Sequence, residues 1–220
     1  MKNILKFGLI AVLGCCLVSA AHASTIFTNL STPGGTFNTS TAFNVTGTGW
    51  GGRADAMPFT AGATADLTDA ILALGHDIGS NDAITVDLES DGSDGLPGAI
   101  LATLTQQGAI PSAGSPGLVT FDCSASCPLL NDGTTYWLVA AETNPSTYQS
   151  WFFSTNSDTG AYAGNSSASA TGPWSAATTT SDAAFEIDGT PAAAPEPSSV
   201  VLLGVVLLGF LVVGRRFRCA

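Results

Sequence analysis

The residues of this sequence most able to do chemistry are acidic. Asp87, Glu89, Asp91 and Asp94 form the densest acidic cluster in the chain. Carboxylate oxygens held close together suit Ca²⁺, but the EF-hand pattern fails because the position of its terminal Glu falls on Gly98. We therefore expect a solvated strand edge that leads into a turn. Weak Ca²⁺ binding is the alternative, and we expect no other metal or cofactor.

A cysteine pair is the next candidate. Cys123 and Cys127 are the only cysteines between residues 24 and 199. In an exported protein, two cysteines this close around a turn that ends at Pro128 predict a local disulfide. A zinc site is disfavoured because no His or second Cys pair accompanies them, and redox-active pairs usually have the shorter Cys-x-x-Cys spacing.

The remaining residue types argue against most kinds of catalysis. His76 is the only histidine after residue 23, and no Gly-x-Ser-x-Gly motif is present, so we expect His76 to be a strand-end or turn residue. No lysine follows Lys6, which excludes a P-loop and Schiff-base chemistry. A pair of glycosidase carboxylates remains formally open, although no pattern selects one. The sequence therefore favours a non-enzymatic protein over a glycoside hydrolase.

Two tryptophans are candidates for stacking on sugar rings. Trp50 lies in the glycine-rich stretch 47–52, and Trp174 follows a Gly-Pro pair, so we expect both to be exposed. Trp137 lies in an apolar run, which predicts a place in the core. A carbohydrate-binding module is therefore an open alternative.

The charge of the central region is strongly one-sided. Between Ser24 and Ala194 there are sixteen acidic residues and one basic residue, Arg53, which gives a net charge of −15. Nucleic-acid binding relies on Lys and Arg, so this region is not expected to bind nucleic acid. We expect Arg53 to pair with a nearby carboxylate such as Asp55.

Short apolar runs separated by turn signals predict the elements that position these residues. They favour an all-β fold, a single jelly-roll-like β-sandwich over residues 24–190. One run, Leu67–Leu74, also has helical spacing and is ambiguous. The candidate strands are Thr25–Asn29, Ala42–Gly47, Leu67–Leu74, Ala83–Glu89, Gly98–Leu104, Leu118–Asp122, Thr135–Ala141, Gln149–Ser154, Gly160–Ala163 and Ala183–Ile187.

The N-terminal segment, residues 1–23, is typical of a secretory signal peptide. Two early lysines precede an apolar run, and an Ala-x-Ala site predicts cleavage between Ala23 and Ser24. A lipoprotein signal ending at Cys15 is the rival interpretation, although the residue two before it fits that pattern poorly.

The C-terminal segment has three parts in order. A Pro- and Ser-rich linker (191–199) precedes a hydrophobic helix (200–214) and a basic cytoplasmic tail (215–220). The apolar run of 14 residues would be about 21 Å long as a helix, shorter than a comfortable membrane span. The residues that define the pattern are Pro195, Glu196, Pro197, Arg215, Arg216 and Arg218.

This C-terminal pattern resembles the PEP-CTERM sorting signal. The resemblance implies a substrate of an exosortase, a membrane-embedded cysteine transpeptidase-like enzyme, with cleavage near residues 195–197. It implies a transient anchor in the inner membrane through the C-terminal helix. It further implies delivery to the cell surface or extracellular matrix of a Gram-negative bacterium that makes exopolysaccharide.

The central region shows a second resemblance. Residues 67–76, 84–91, 95–98 and 133–139 occur in the order found in choice-of-anchor domains, and the similarity, to type R, spans roughly residues 55–190. Those are extracellular β domains without an established activity. The leading hypothesis is therefore a non-enzymatic surface or matrix protein associated with exopolysaccharide, and the alternatives are a carbohydrate- or Ca²⁺-binding module.

Overall fold

Thirteen β-strands form most of the part of the chain that the structure, a computed structural model, describes: residues 23–31, 35–79, 84–124, 126–156, 160–179 and 181–192. No α-helix occurs in these ranges, and one 3-10 turn spans Thr48–Trp50. The strands are β1 (Ser24–Thr28), β2 (Asn38–Thr46), β3 (Ala54–Thr60), β4 (Ala65–Ile78), β5 (Ile84–Asp91), β6 (Pro97–Gln107), β7 (Gly117–Asp122), β8 (Leu129–Leu130), β9 (Thr135–Glu142), β10 (Tyr148–Phe153), β11 (Gly160–Asn165), β12 (Ser175–Thr179) and β13 (Phe185–Pro191).

The strands form an open sheet in which all neighbouring strands are antiparallel. Its order is β1-β13-β4-β7-β6-β5-β9-β3-β11-β12, with β10 paired to β2 and β4, and β8 paired to β4. Strand β6 joins two halves of the sheet, because its first part pairs with β5 and its last three residues pair with β7.

Both halves of the sheet contribute to one apolar core. Leu72 on β4 and Phe185 on β13 come from one half, and Val86 on β5 and Leu138 on β9 come from the other. At the centre Trp151 is fully buried and its Nε1 donates a hydrogen bond to the carbonyl of Ala184 at 3.0 Å. Alternating apolar residues of these strands therefore point into the same core.

The predicted strands and the all-β class are confirmed. Each of the ten candidate segments overlaps an observed strand, and the ambiguous run Leu67–Leu74 is part of the long strand β4. The sequence missed β3, β8 and β12. The single jelly-roll-like sandwich stays a prediction, because what the structure shows is one open antiparallel sheet.

Several sequence predictions fall outside the described residues. They are the signal peptide up to residue 22, the hydrophobic helix over 200–214, and the sorting residues Pro195, Glu196, Pro197, Arg215, Arg216 and Arg218. Ala23 is described and exposed, and β1 begins at the next residue, Ser24.

Candidate functional site

A cleft of about 620 Å³ opens beside β2 and β11. Its walls come from segments far apart in the chain, namely β2, the turn between β2 and β3, the start of β10, and the β11–β12 hairpin. Its lining residues are Asn44, Thr46, Trp50, Gly51, Gly52, Arg53, Tyr148, Tyr162, Gly164, Asn165, Ser166, Ser175, Ala176 and Ala177.

The glycine-rich turn presents Trp50 to this cleft. The amide of Gly47 donates to the carbonyl of Thr147, and the amide of Gly49 donates to Pro145, both at 2.9 Å. A Cβ on Gly47 would lie 2.0 Å from the carbonyl oxygen of Asn144, so only glycine allows the two backbones to approach this closely. The run of glycines is therefore needed to dock the turn against the loop that precedes β10.

Trp50 forms an exposed aromatic surface. Its side chain is 51% exposed and stacks on Tyr148, with ring centroids 6.4 Å apart and planes 22° apart. The indole Nε1 donates to the carbonyl of Ser146 at 3.3 Å. Because one ring face is backed by a second aromatic and the N–H is engaged, the indole is held in place while much of it stays accessible.

Arg53 lies on the same wall and is fixed by Asp55. Its Nε donates to both carboxylate oxygens at 3.1 Å, and one Nη donates to Oδ1 at 3.0 Å. The Arg53 side chain is 41% exposed, whereas Asp55 is fully buried. Burial raises the pKa of Asp55 to about 6, although the hydrogen bond and charge of Arg53 act in the opposite direction. The predicted pair is thus present, and only its cationic partner is accessible.

The remaining polar groups of the cleft are amides and hydroxyls. Asn165 is buried and organises its own turn, because its Nδ2 donates to the carbonyl of Ser169 at 2.8 Å and its Oδ1 accepts from the amide of Ser167 at 2.7 Å. Asn44, Ser166 and Ser175 are exposed around it. An aromatic plate surrounded by hydrogen-bonding groups is the combination that binds a ring bearing hydroxyls.

Trp174, the second predicted stacking residue, lies elsewhere. It is half-buried and packs against a cluster that contains Trp137 and Ala163, and it does not line the cleft. The structure therefore does not bring Trp50 and Trp174 together on one platform. Trp137 itself is buried, as the sequence predicts.

The prediction of a solvated acidic strand edge is wrong for Asp87 and Glu89. Asp87 is 2% exposed and Glu89 is fully buried. The physical reason is that β5 lies between β6 and β9, so it is not an edge strand. Opposite Glu89 on β9 lies Trp137, whose cluster covers the outer face of the sheet. Only the end of the predicted set, Asp91 and Asp94, is exposed.

Burial raises the pKa values of the two buried acids. Burial, with the charge of Asp87 as a second cause, raises the pKa of Glu89 to about 7, and neither carboxyl oxygen of Glu89 has a hydrogen-bond partner. Burial also raises the pKa of Asp87, opposed by a hydrogen bond from Thr103. Asp91 instead accepts from Trp137 Nε1 at 2.8 Å. Within the described ranges, no three His, Cys, Asp or Glu side chains are grouped to hold a metal ion.

The cysteine pair forms a disulfide, and the histidine lies at a strand end. A disulfide joins Cys123 and Cys127, which confirms the predicted bond. His76 lies near the end of β4, where its backbone N–H donates to Pro111 and its carbonyl accepts from Ala113. This is the strand-end position that the sequence predicts for it.

Sequence reasoning missed most of the cleft. Tyr148, Tyr162 and Asn165 carry no local signal, because each lies in or beside a short strand and is brought to Trp50 only by the sheet topology. The glycines around Trp50 were the one usable signal, since a glycine-rich run beside a tryptophan indicates an exposed, tightly docked turn.

Comparison with known proteins bears on the C-terminal segment. The family model of the PEP-CTERM protein-sorting motif matches residues 193–216. This confirms the predicted sorting motif, except that Arg218 lies beyond the match. The motif implies export, processing by an exosortase-type enzyme and membrane-linked sorting to the cell surface. No curated protein matches the chain. Within the residues that the structure describes, no helix is long and apolar enough to cross a membrane.

Proposed function

We propose that this protein is a non-enzymatic surface protein that binds extracellular polysaccharide in the Trp50 cleft. An exosortase-type enzyme would release it from a transient anchor in the inner membrane of a Gram-negative bacterium, and the β domain would remain at the cell surface or in the matrix. The PEP-CTERM motif supports this sorting route, and the predicted resemblance of residues 55–190 to choice-of-anchor domains is in keeping with an extracellular role.

The observation that carries the proposal is the accessible indole of Trp50. A stacked, half-exposed tryptophan beside amide and hydroxyl groups offers a flat apolar face to a sugar ring and polar partners to its hydroxyls. Trp151 and Trp137, by contrast, are buried and serve the core. Trp50 is different, because half of it is exposed and it has no comparable role in the core.

The lining of the cleft favours binding over hydrolysis. Glycoside hydrolysis uses two carboxylates on either side of the bond that is cleaved. No Asp or Glu belongs to the described lining, and Asp55 behind it is fully buried and paired with Arg53. We accordingly propose that the cleft holds a glycan without a cofactor and without cleaving it.

The binding proposal can be tested with the mature protein and the exopolysaccharide of its native host. We expect calorimetric binding of polysaccharide fragments by the wild type and a loss of affinity of about tenfold or more in Trp50→Ala. Leu129→Ala is the matched control, because Leu129 is an equally exposed apolar residue (47%) outside the cleft. Equal binding by all three proteins, or none by any, would refute the proposal.

The sorting proposal is tested by intact mass and fractionation in the native host. We expect a mature form that begins at Ser24, ends near Pro197 and lies in the surface or medium fractions. A form that keeps residues 215–220 in the inner membrane would mean that the C-terminal segment is a permanent anchor.

A further inference from the structure

The single basic residue of the central region lies in the Trp50 cleft. Between Ser24 and Ala194, Arg53 is the only Lys or Arg beside sixteen Asp and Glu residues. Its guanidinium lines the cleft, and none of the other described lining residues carries a charge. In a region of net charge −15, the cleft is therefore a local exception that presents positive charge.

The guanidinium is held in one orientation from several sides. Asp55 accepts three hydrogen bonds from Nε and one Nη. The backbone of Arg53 forms a reciprocal pair with Thr46, with N–O distances of 2.8 and 2.9 Å, and the ring centroid of Phe43 lies 6.0 Å from the guanidinium carbon. A guanidinium fixed in this way loses little conformational entropy when it binds a ligand.

The two partners of the ion pair differ in what a ligand can reach. Asp55 is fully buried, whereas 41% of the Arg53 side chain is exposed. Arginine has five N–H donors, of which the carboxylate engages those of Nε and one of the two Nη groups, and Tyr162 of the cleft also interacts with the guanidinium. A ligand in the cleft therefore meets donors and positive charge from this pair, and it does not meet the carboxylate.

From this arrangement we propose that the cleft selects polysaccharide whose sugars carry carboxylate groups, with Arg53 binding the carboxylate while Trp50 stacks on the ring. The planar guanidinium matches the two oxygens of a carboxylate. At about 0.15 M salt, charges more than about 8 Å away are largely screened, so the acidic surface beyond the cleft does not prevent binding of short fragments. This inference rests on the proposed polysaccharide binding.

The test compares two forms of one probe. Fragments of the host exopolysaccharide are used as isolated and after chemical reduction of their carboxyl groups to alcohols, which removes the charge and keeps the ring. We expect the mature wild-type protein at 0.15 M salt to bind the native fragments about tenfold or more tightly than the reduced ones. Trp50→Ala should weaken binding of both forms.

The role of Arg53 is tested in a variant that keeps the fold. Arg53→Gln alone would leave a buried carboxylate unpaired, so the double variant Arg53→Gln/Asp55→Asn replaces the ion pair with two neutral amides. We expect it to bind native and reduced fragments equally. Arg53→Lys keeps the charge but loses the planar fork, and it should retain only part of the preference.

The outcomes separate this inference from the proposal beneath it. Equal binding of both forms by the wild type, or a host polysaccharide without carboxylates, would overturn the inference and leave polysaccharide binding intact. A preference that persists in the double variant would overturn the role of Arg53. No binding of either form would overturn both.

Discussion

Replacing Glu89 by Gln should stabilise the protein at neutral pH. Glu89 is fully buried on β5, and neither carboxyl oxygen has a hydrogen-bond partner. Burial raises its pKa from the ordinary value of 4.5 to about 7. A carboxyl group that must lose its proton in this environment gives up hydration without a compensating partner, whereas the Gln amide stays neutral at every pH.

The sign of the effect follows from proton linkage. Because the pKa is higher in the folded state, the folded protein binds the proton more tightly and unfolding releases it between pH 4.5 and about 7. The favourable contribution is complete below pH 4.5 and is lost as the pH rises through 7. A difference of about 2.5 pKa units corresponds to about 3 kcal/mol of unfolding free energy. The raised pKa values of Asp55 and Asp87 act in the same direction.

The assay is urea denaturation followed by tryptophan fluorescence at several pH values from 4.5 to 8. We expect wild type and Glu89→Gln to be similar at pH 4.5, and the variant to be more stable by up to about 3 kcal/mol at pH 8. Asp94→Asn is the control, since it removes a charge from an exposed position near the same strand. If Glu89→Gln kept the wild-type pH dependence, the buried carboxylate would not be its source and the reasoning would fail.

Three further changes test other parts of the structure. Gly47→Ala should displace the Trp50 turn, lower the unfolding free energy by about 1–3 kcal/mol and abolish polysaccharide binding. Gly114→Ala is the control, because a Cβ there meets no atom closer than 3.8 Å, and it should change neither stability nor binding. The double variant Cys123→Ser/Cys127→Ser should lower the unfolding free energy by about 2 kcal/mol and leave binding unchanged. The effect on stability is small because the two bonded cysteines are only four positions apart, so the disulfide closes a short loop. Asn29→Ala should cost about 2–3 kcal/mol in the denaturation assay, because its side chain accepts from the amide of Phe185 and donates to the carbonyl of Ala183, both at 2.8 Å and buried.

Strand β5 shows which structural features the sequence could predict and which it could not. The alternation of Ile84, Val86 and Leu88 correctly predicts a strand with one face in the core. The alternation does not show what packs against the other face of the strand. Asp87 and Glu89 on that face were therefore expected to be exposed to solvent. Covering that face requires Trp137 from β9 and side chains packed around it such as Ala56, Ala163 and Trp174, all of them more than thirty positions from Glu89 in the chain. Local patterns do not contain this information.

Strand β3 was missed for a different physical reason. A proline inside an apolar run normally argues against a strand, and Pro58 lies inside β3. On one side of β3, strand β11 pairs only with Ala54–Ala56. At Pro58 the strand therefore has β9 as its one neighbour, and no second neighbouring strand needs a backbone N–H from this position. The proline is compatible with the strand because the β11–β12 hairpin stops pairing before it reaches Pro58. The residues around Pro58 carry no information about that hairpin.

The ion pair in the cleft contributes little to stability that a neutral pair would not, which is consistent with the proposed ligand binding. Burial raises the pKa of Asp55 to about 6 despite three hydrogen bonds from Arg53, so the folded state disfavours the charged carboxylate even when it is paired. Buried ion pairs are often no more stabilising than neutral residues of similar shape. Asp55 therefore adds little to the fold beyond what a neutral residue of similar shape would add, but it holds the one cation of the region in the cleft that Trp50 also lines. A fixed guanidinium in this position is what the proposed recognition of an acidic sugar would require.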